Sequence, residues 1–68
     1  MNLIPVNSSN ISAIGYDSNI LYVCFNSGHL YTYSNVPEFV YKNFMGASSK
    51  GSYFAANIKN YYRCTQIY

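Results

Sequence analysis

The side chains able to do acid–base or nucleophilic chemistry are few: Asp17, Glu38, His29, Cys24 and Cys64. Proton transfer in a transition state needs titratable groups held against the reacting atoms. Asp17 and His29 fall in turn-rich stretches. Glu38 follows Pro37 at a helix start, where a carboxylate favours the helix dipole. Either cysteine with His29 would in principle make a nucleophile and base, but nothing in their spacing brings them together. The two cysteines match no zinc-ligand pattern. In a reducing compartment they read as free thiols packed in a core or an interface. The residue types therefore argue against an enzyme, with no catalytic residue, no metal and no cofactor expected.

Binding chemistry is better supplied. Ser48-Ser49-Lys50-Gly51-Ser52 is small, polar and placed at a helix start. Free N–H groups and the dipole at such a terminus attract phosphate. Lys50 adds a charge, Gly51 admits close approach, and Ser49 can equally be a plain helix cap. Tyr31 and Tyr33 on a sheet surface can stack on a base, or they can pack into a core or a dimer seam. Tyr53 adds a ring beside the serine loop. Arg63 and Lys59 can reach a phosphate or simply be solvated. Ser8, Ser9 and Asn10 can line the same pocket or form an edge-strand surface.

These residues sit in a chain of 68, half hydrophobic and 19% aromatic, with only 9% charged residues and a net charge of +2. That is too apolar for a disordered chain and far below the ~25% charge of an ordinary domain. Nine tyrosines and nine asparagines fill the difference. Tyrosine offers area and a hydroxyl together, which suits interfaces and pockets. Long nucleic acids demand many phosphate contacts, and Lys42, Lys50, Lys59 and Arg63 are the whole cationic supply. A domain this small has a limited core, so homo-oligomerisation is expected. Met1-Asn2-Leu3-Ile4-Pro5-Val6 has no basic region or long apolar run, so it does not read as a signal peptide. No stretch approaches a membrane span. A cytoplasmic location is expected, in the host cytoplasm if the chain is phage-encoded, as its Asn/Tyr/Ile/Lys-rich usage would fit.

The elements that must position these groups follow from pattern. Pro5 to about Asp17 interleaves polar and apolar residues and reads as one strand. Ile20–Phe25 is the clearest strand, and Leu30–Tyr33 returns from it across the Asn26-Ser27-Gly28-His29 turn. Pro37 opens a helix with an apolar stripe of Val40, Tyr41, Phe44 and Met45, stopped near Gly46. Ser48 or Ser49 caps a second helix carrying Phe54 and Ile58. Tyr61–Tyr68 closes the domain as a strand. The order β-β-β-α-α-β predicts an α+β fold in one domain, residues 1–68: a small antiparallel sheet of about four strands with two short helices on one face. A two-residue Ser27-Gly28 loop would set Tyr31 opposite Cys24 and Tyr33 opposite Tyr22, away from Leu21, Val23 and Phe25. A three-residue loop would swap both tyrosines to the other face. The two-residue register is the one favoured here.

Nearly the whole chain then shows a family pattern. It runs through Ser8-Ser9 with Ile11, Ala13-Ile14-Gly15-Tyr16-Asp17, Leu21, Val23, Phe25 and Gly28. Tyr31-Thr32-Tyr33, Val36-Pro37, Val40-Tyr41 and Ser49-Lys50-Gly51 with Tyr53-Phe54 complete it. In this order and spacing the chain resembles the KTSC-domain family, named for its occurrence at the C-terminus of some lysyl-tRNA synthetases, and looks like a small stand-alone relative. The central Tyr-x-Tyr is the family's label motif. Ala55 departs from the pattern, where Asn is common, and the last strand is less basic than the family's. The resemblance implies a fold and, by the usual suggestion of RNA binding, a ligand class. It implies no reaction.

Together these features lead to a non-catalytic module for a small nucleotide or nucleotide-like phosphorylated ligand, in a pocket made or completed at a subunit interface. Tyrosines would hold the base; Lys50, the serine loop and Arg63 would hold phosphate. Sequestering a nucleotide signal, as a phage anti-defence protein would, is a coherent role. An RNA-binding accessory module and a protein-interaction module are the alternatives.

Overall fold

Strand β3, Ile20–Phe25, organises the molecule because its alternate residues face two different worlds. Leu21 and Val23 point into the core and are fully buried, while Ile20, Tyr22 and Cys24 point the other way and are half-buried. The computed structural model describes residues 2–68. In chain order the remaining elements are β1 (Ile4–Pro5), β2 (Ile11–Asp17), β4 (Leu30–Tyr33), α1 (Glu38–Gly46), α2 (Lys50–Asn57) and β5 (Cys64–Gln66). The five strands form one antiparallel sheet in the order β1-β2-β3-β4-β5, with β3 at its centre. The α+β class and the two helices on one face are as the pattern predicts.

The stretch from Pro5 to Asp17 is two strands and not one. The Ser8 hydroxyl accepts from the backbone N–H groups of Asn10 and Ile11, both at 3.3 Å. This serine turn folds the chain back, so that Ile4 lies opposite Ile14 and Pro5 opposite Ala13. A bulge between Ile11 and Ala13 re-aims β2. The closing strand is shorter than Tyr61–Tyr68, because the chain still turns as far as Tyr62 after α2.

The β3–β4 register is the reverse of the favoured one. Tyr33 lies opposite Leu21, Tyr31 opposite Val23 and Leu30 opposite Cys24. The Gly28 N–H donates to the Phe25 carbonyl at 2.9 Å, and the Phe25 N–H donates to His29 at 2.9 Å. The loop is therefore the three residues Asn26-Ser27-Gly28, a tight turn ended by Gly28 at φ 96. Only a residue without Cβ takes that φ cheaply. The extra loop residue moves Tyr31 and Tyr33 onto the Val23/Phe25 face. The β2–β3 connection is a two-residue turn through Ser18 and Asn19, at φ 52 and 65.

Both helices pack on the Leu21/Val23/Tyr33 face. Val40 and Phe44 of α1, Phe54 of α2 and Ile58 just beyond it meet Ile11, Ile14, Leu21, Val23 and Tyr33 in one core. Ser49 caps α2 by accepting from the Ser52 N–H. Among the described residues no helix is long and apolar enough to cross a membrane.

Candidate ligand-binding cleft

The helices leave the hairpin end of the core face uncovered. Between the β3–β4 hairpin and α2 lies an open cleft of about 660 Å³. Its floor is aromatic: Phe25 meets Tyr31 and Phe54 edge-on, with ring centroids 5.6 and 5.5 Å away, and Tyr33 meets Phe54 edge-on at 5.6 Å. Edge-to-face packing turns these rings so that they do not close over one another. Tyr33 is nearly sealed beneath, at 3% exposure, whereas Tyr31 is half-buried. Burial, helped by Cys64 and Tyr31 beside it, pushes the Tyr33 hydroxyl well above the ordinary phenol range. It is a neutral donor at any physiological pH.

The rim is polar. Ser9 and Asn10 stand at one side, Asn26, Ser27 and His29 at the hairpin, and Lys59 and Asn60 beyond α2. Asn26 Nδ2 donates to the carbonyls of Ser8 and Ser9, at 3.3 and 2.8 Å, which ties the serine turn to the hairpin. Ala55 of α2 also lines the cleft, where its small side chain leaves room. A second, smaller cleft of about 280 Å³ adjoins the first across Ser9 and Gly51 and is walled by Asn7, Ser8, Ser48, Ser49 and Lys50.

Of the sequence-derived candidates, the structure gathers Tyr31, Tyr33, Gly51 and Ser9 in the main cleft. Ser8, Ser49 and Lys50 sit in its neighbour, with Ser9 and Gly51 shared. The Lys50 ammonium is already engaged, donating to the Ala47 carbonyl at 2.7 Å. Tyr53 and Arg63 line neither cleft. Tyr53 stacks on Phe44 at 5.7 Å. Cys64 lines the main cleft, so strand alternation turns Arg63 to the opposite face. Lys59 is the cation at the cleft rim. Sequence reasoning did not name Phe25, Phe54, Asn26 or Asn60 as site residues. The hairpin turn was the available signal, since any pocket beside Tyr31 must use that loop.

The acid–base groups do not converge. Asp17 accepts from the Ser18 hydroxyl at 3.2 Å, and Glu38 pairs with Lys42 at 3.6 Å, both on exposed surface. His29 Nδ1 lies 3.0 Å from a Tyr68 backbone oxygen and 3.3 Å from Gln66 Nε2. Cys64 is opposite Tyr33, four residues along the ladder from His29, so about 13 Å separates the two at ~3.3 Å per residue. Cys24 lies on the other face of β3 from Phe25, the residue bonded to His29, so neither thiol pairs with the imidazole. Among the described residues no three His, Cys, Asp or Glu side chains cluster as metal ligands.

Comparison with known proteins adds three findings. The family model described as the KTSC domain matches residues 7–62. A crystal structure of a KTSC domain protein from Yersinia pestis superposes with a TM-score of 0.95 at 42% identity, covering 98% of this chain and 97% of that one. A protein of Tsukamurella paurometabola is 35% identical over 65 residues, covering 93% of this chain and 97% of its own length.

Proposed function

This chain belongs to the KTSC domain family, and we propose that within that fold it is a non-catalytic binding module for a small nucleotide or nucleotide-like ligand. The observation that carries this reading is the aromatic cleft between the hairpin and α2. Phe25, Tyr31 and Phe54 offer ring faces and edges of the size of a nucleobase, in a cleft whose volume is that of a small-molecule pocket. Ser9, Asn10, Asn26 and Asn60 supply amide and hydroxyl groups for a base edge or a sugar. Stacking on an aromatic ring contributes about 1–3 kcal/mol per base.

The phosphate contact in this reading moves from Arg63 to Lys59, with the serine loop adjoining through Ser9 and Gly51. One rim cation suits a ligand of low charge. Holding such a ligand, and so sequestering a nucleotide signal, needs only the cleft.

A thermal-shift screen against mono-, di- and cyclic nucleotides and short RNAs tests the reading. A ligand at 100 times its Kd adds about 2.7 kcal/mol, a shift of roughly 10–20 °C for a domain of this size. The expected result is a large shift by one nucleotide class with little dependence on salt. A shift that grows with RNA length and collapses with salt would support an RNA-binding module instead. A flat response across the panel removes both and leaves a protein-interaction module.

A further inference from the structure

We propose that the uncovered face of the sheet is the interface of a symmetric dimer of this chain. Both helices lie on the core face, so the other face carries Ala13 and Gly15 of β2, Ile20, Tyr22 and Cys24 of β3, and Thr32 of β4. Leu30 and Ile67 extend it, joined by the Ile67 N–H donating to the Leu30 carbonyl at 2.8 Å. Thr65 lies opposite Thr32 on the same side. This surface is apolar or hydroxylic throughout its middle, and Ile67 is 51% exposed.

Three features select a second copy as the occupant. The first is charge. Lys42 and Lys50 lie on the helices and Lys59 just after α2, so Arg63 is the cation next to this face, and the chain is net positive. The uncharged middle of this face is a surface on which two identical copies meet without repulsion.

The second is area. The molecule measures 25 × 25 × 22 Å with 4222 Å² of surface. One side of six is about 700 Å², so two copies in full contact over that side would bury up to about 1,400 Å², within reach of the ~1,200–2,000 Å² of specific interfaces.

The third is the rim. Asp17 lies opposite Ile20, and the Ser34 N–H donates to the Arg63 carbonyl at 3.0 Å. The face thus has one acid and one base at the same end, on opposite sides of β3. A twofold axis along β3 lays β2 of one copy over β4 of the other. It sets Asp17 against the margin that bears Arg63 of its mate, twice over. The clefts then face outward on opposite sides of the dimer, and each is complete within one chain. This replaces the expectation of a pocket completed at the subunit interface.

Sedimentation equilibrium and cysteine crosslinking test the dimer without any ligand. The wild-type chain should sediment at twice its monomer mass at micromolar concentration. Thr32→Lys touches no core residue and should weaken the dimer at least 100-fold with an unchanged circular dichroism spectrum. In a Cys64→Ser background, a short bis-maleimide should link Cys24 to Cys24 across the axis. Asp17→Arg and Arg63→Asp should each weaken the dimer about tenfold, and their combination should restore it. A monomer at millimolar concentration overturns the proposal. So does a dimer indifferent to Thr32→Lys, which would place the contact at the free edge of β5 or elsewhere. Failure of the crosslink, or of the double variant to restore the dimer, overturns the axis along β3.

Discussion

The two ends of the core face treat their tyrosines in opposite ways. At the α1 end, Tyr16 and Tyr41 stack at 4.9 Å and 11°, and the Tyr16 hydroxyl donates to the Val36 carbonyl at 2.6 Å. Asn19 Oδ1 lies 3.0 Å from the same hydroxyl and shares its proton, so that ring has both its face and its polar tip occupied. At the α2 end, Phe25, Tyr31, Tyr33 and Phe54 meet one another edge-on, and Tyr31 lines an open cleft. The same residue type is a strut at one end and an available surface at the other. The difference lies in what lies above it. α1 reaches over the sheet with Val40 and Phe44, whereas α2 presents Gly51 and Ala55 to the hairpin.

Substitutions separate the two ends, and the largest effect belongs to the closed one. Phe44→Ala removes a fully buried ring and should cost about 3–5 kcal/mol, enough to unfold much of so small a domain in a denaturant titration. If Phe44→Ala cost under 1 kcal/mol, the closed end would not be the packed one. Tyr31→Ala, at the open end, should change stability little but reduce the nucleotide-induced thermal shift by the equivalent of about 1–3 kcal/mol of binding. Ala55→Phe sharpens the contrast: filling the cleft should abolish the ligand shift while the unliganded melting temperature holds or rises.

Tyr33 gives the contrast a pH axis. Its folded-state pKa is raised, chiefly by burial. Below about pH 10 the folded and unfolded chains both keep the proton. Above that value the unfolded chain loses it first, so stability should fall as pH rises beyond 10. Tyr33→Phe should flatten that fall in a melting-temperature series from pH 8 to 11. The smallest effect is expected from Tyr16→Phe, which deletes one hydroxyl and its bonds. It should cost about 1 kcal/mol in denaturant midpoint and leave ligand binding unchanged.

What was legible in the chain follows from local chemistry. Ile20–Phe25 has β-branched and aromatic side chains in a run, and Leu30–Tyr33 follows a glycine turn, so both strands read directly. Pro37 and Ser49 mark the helix starts, at the N-cap positions of α1 and α2. The first segment was legible only in part, because a strand and a strand–turn–strand share the same alternation. What divides them is the Ser8 hydroxyl choosing backbone N–H partners two and three residues on.

By itself the sequence determined the α+β class, the two central strands and the two helices that follow them, the short supply of acid–base groups and an aromatic composition of low charge. These depend on residue type and on neighbours a few positions away. Only the tertiary structure decided which face Tyr31 and Tyr33 occupy. That depends on one loop residue, since a two-residue or a three-residue turn fits the same Asn26-Ser27-Gly28-His29 run. A period of two makes one residue the whole difference. Only the tertiary structure, too, brought Ser9, Gly51 and Lys59 to one rim and sent Arg63 to the other side of the sheet. Those placements arise from long-range pairing of β4 with β5 and from where α2 ends, which no local window contains.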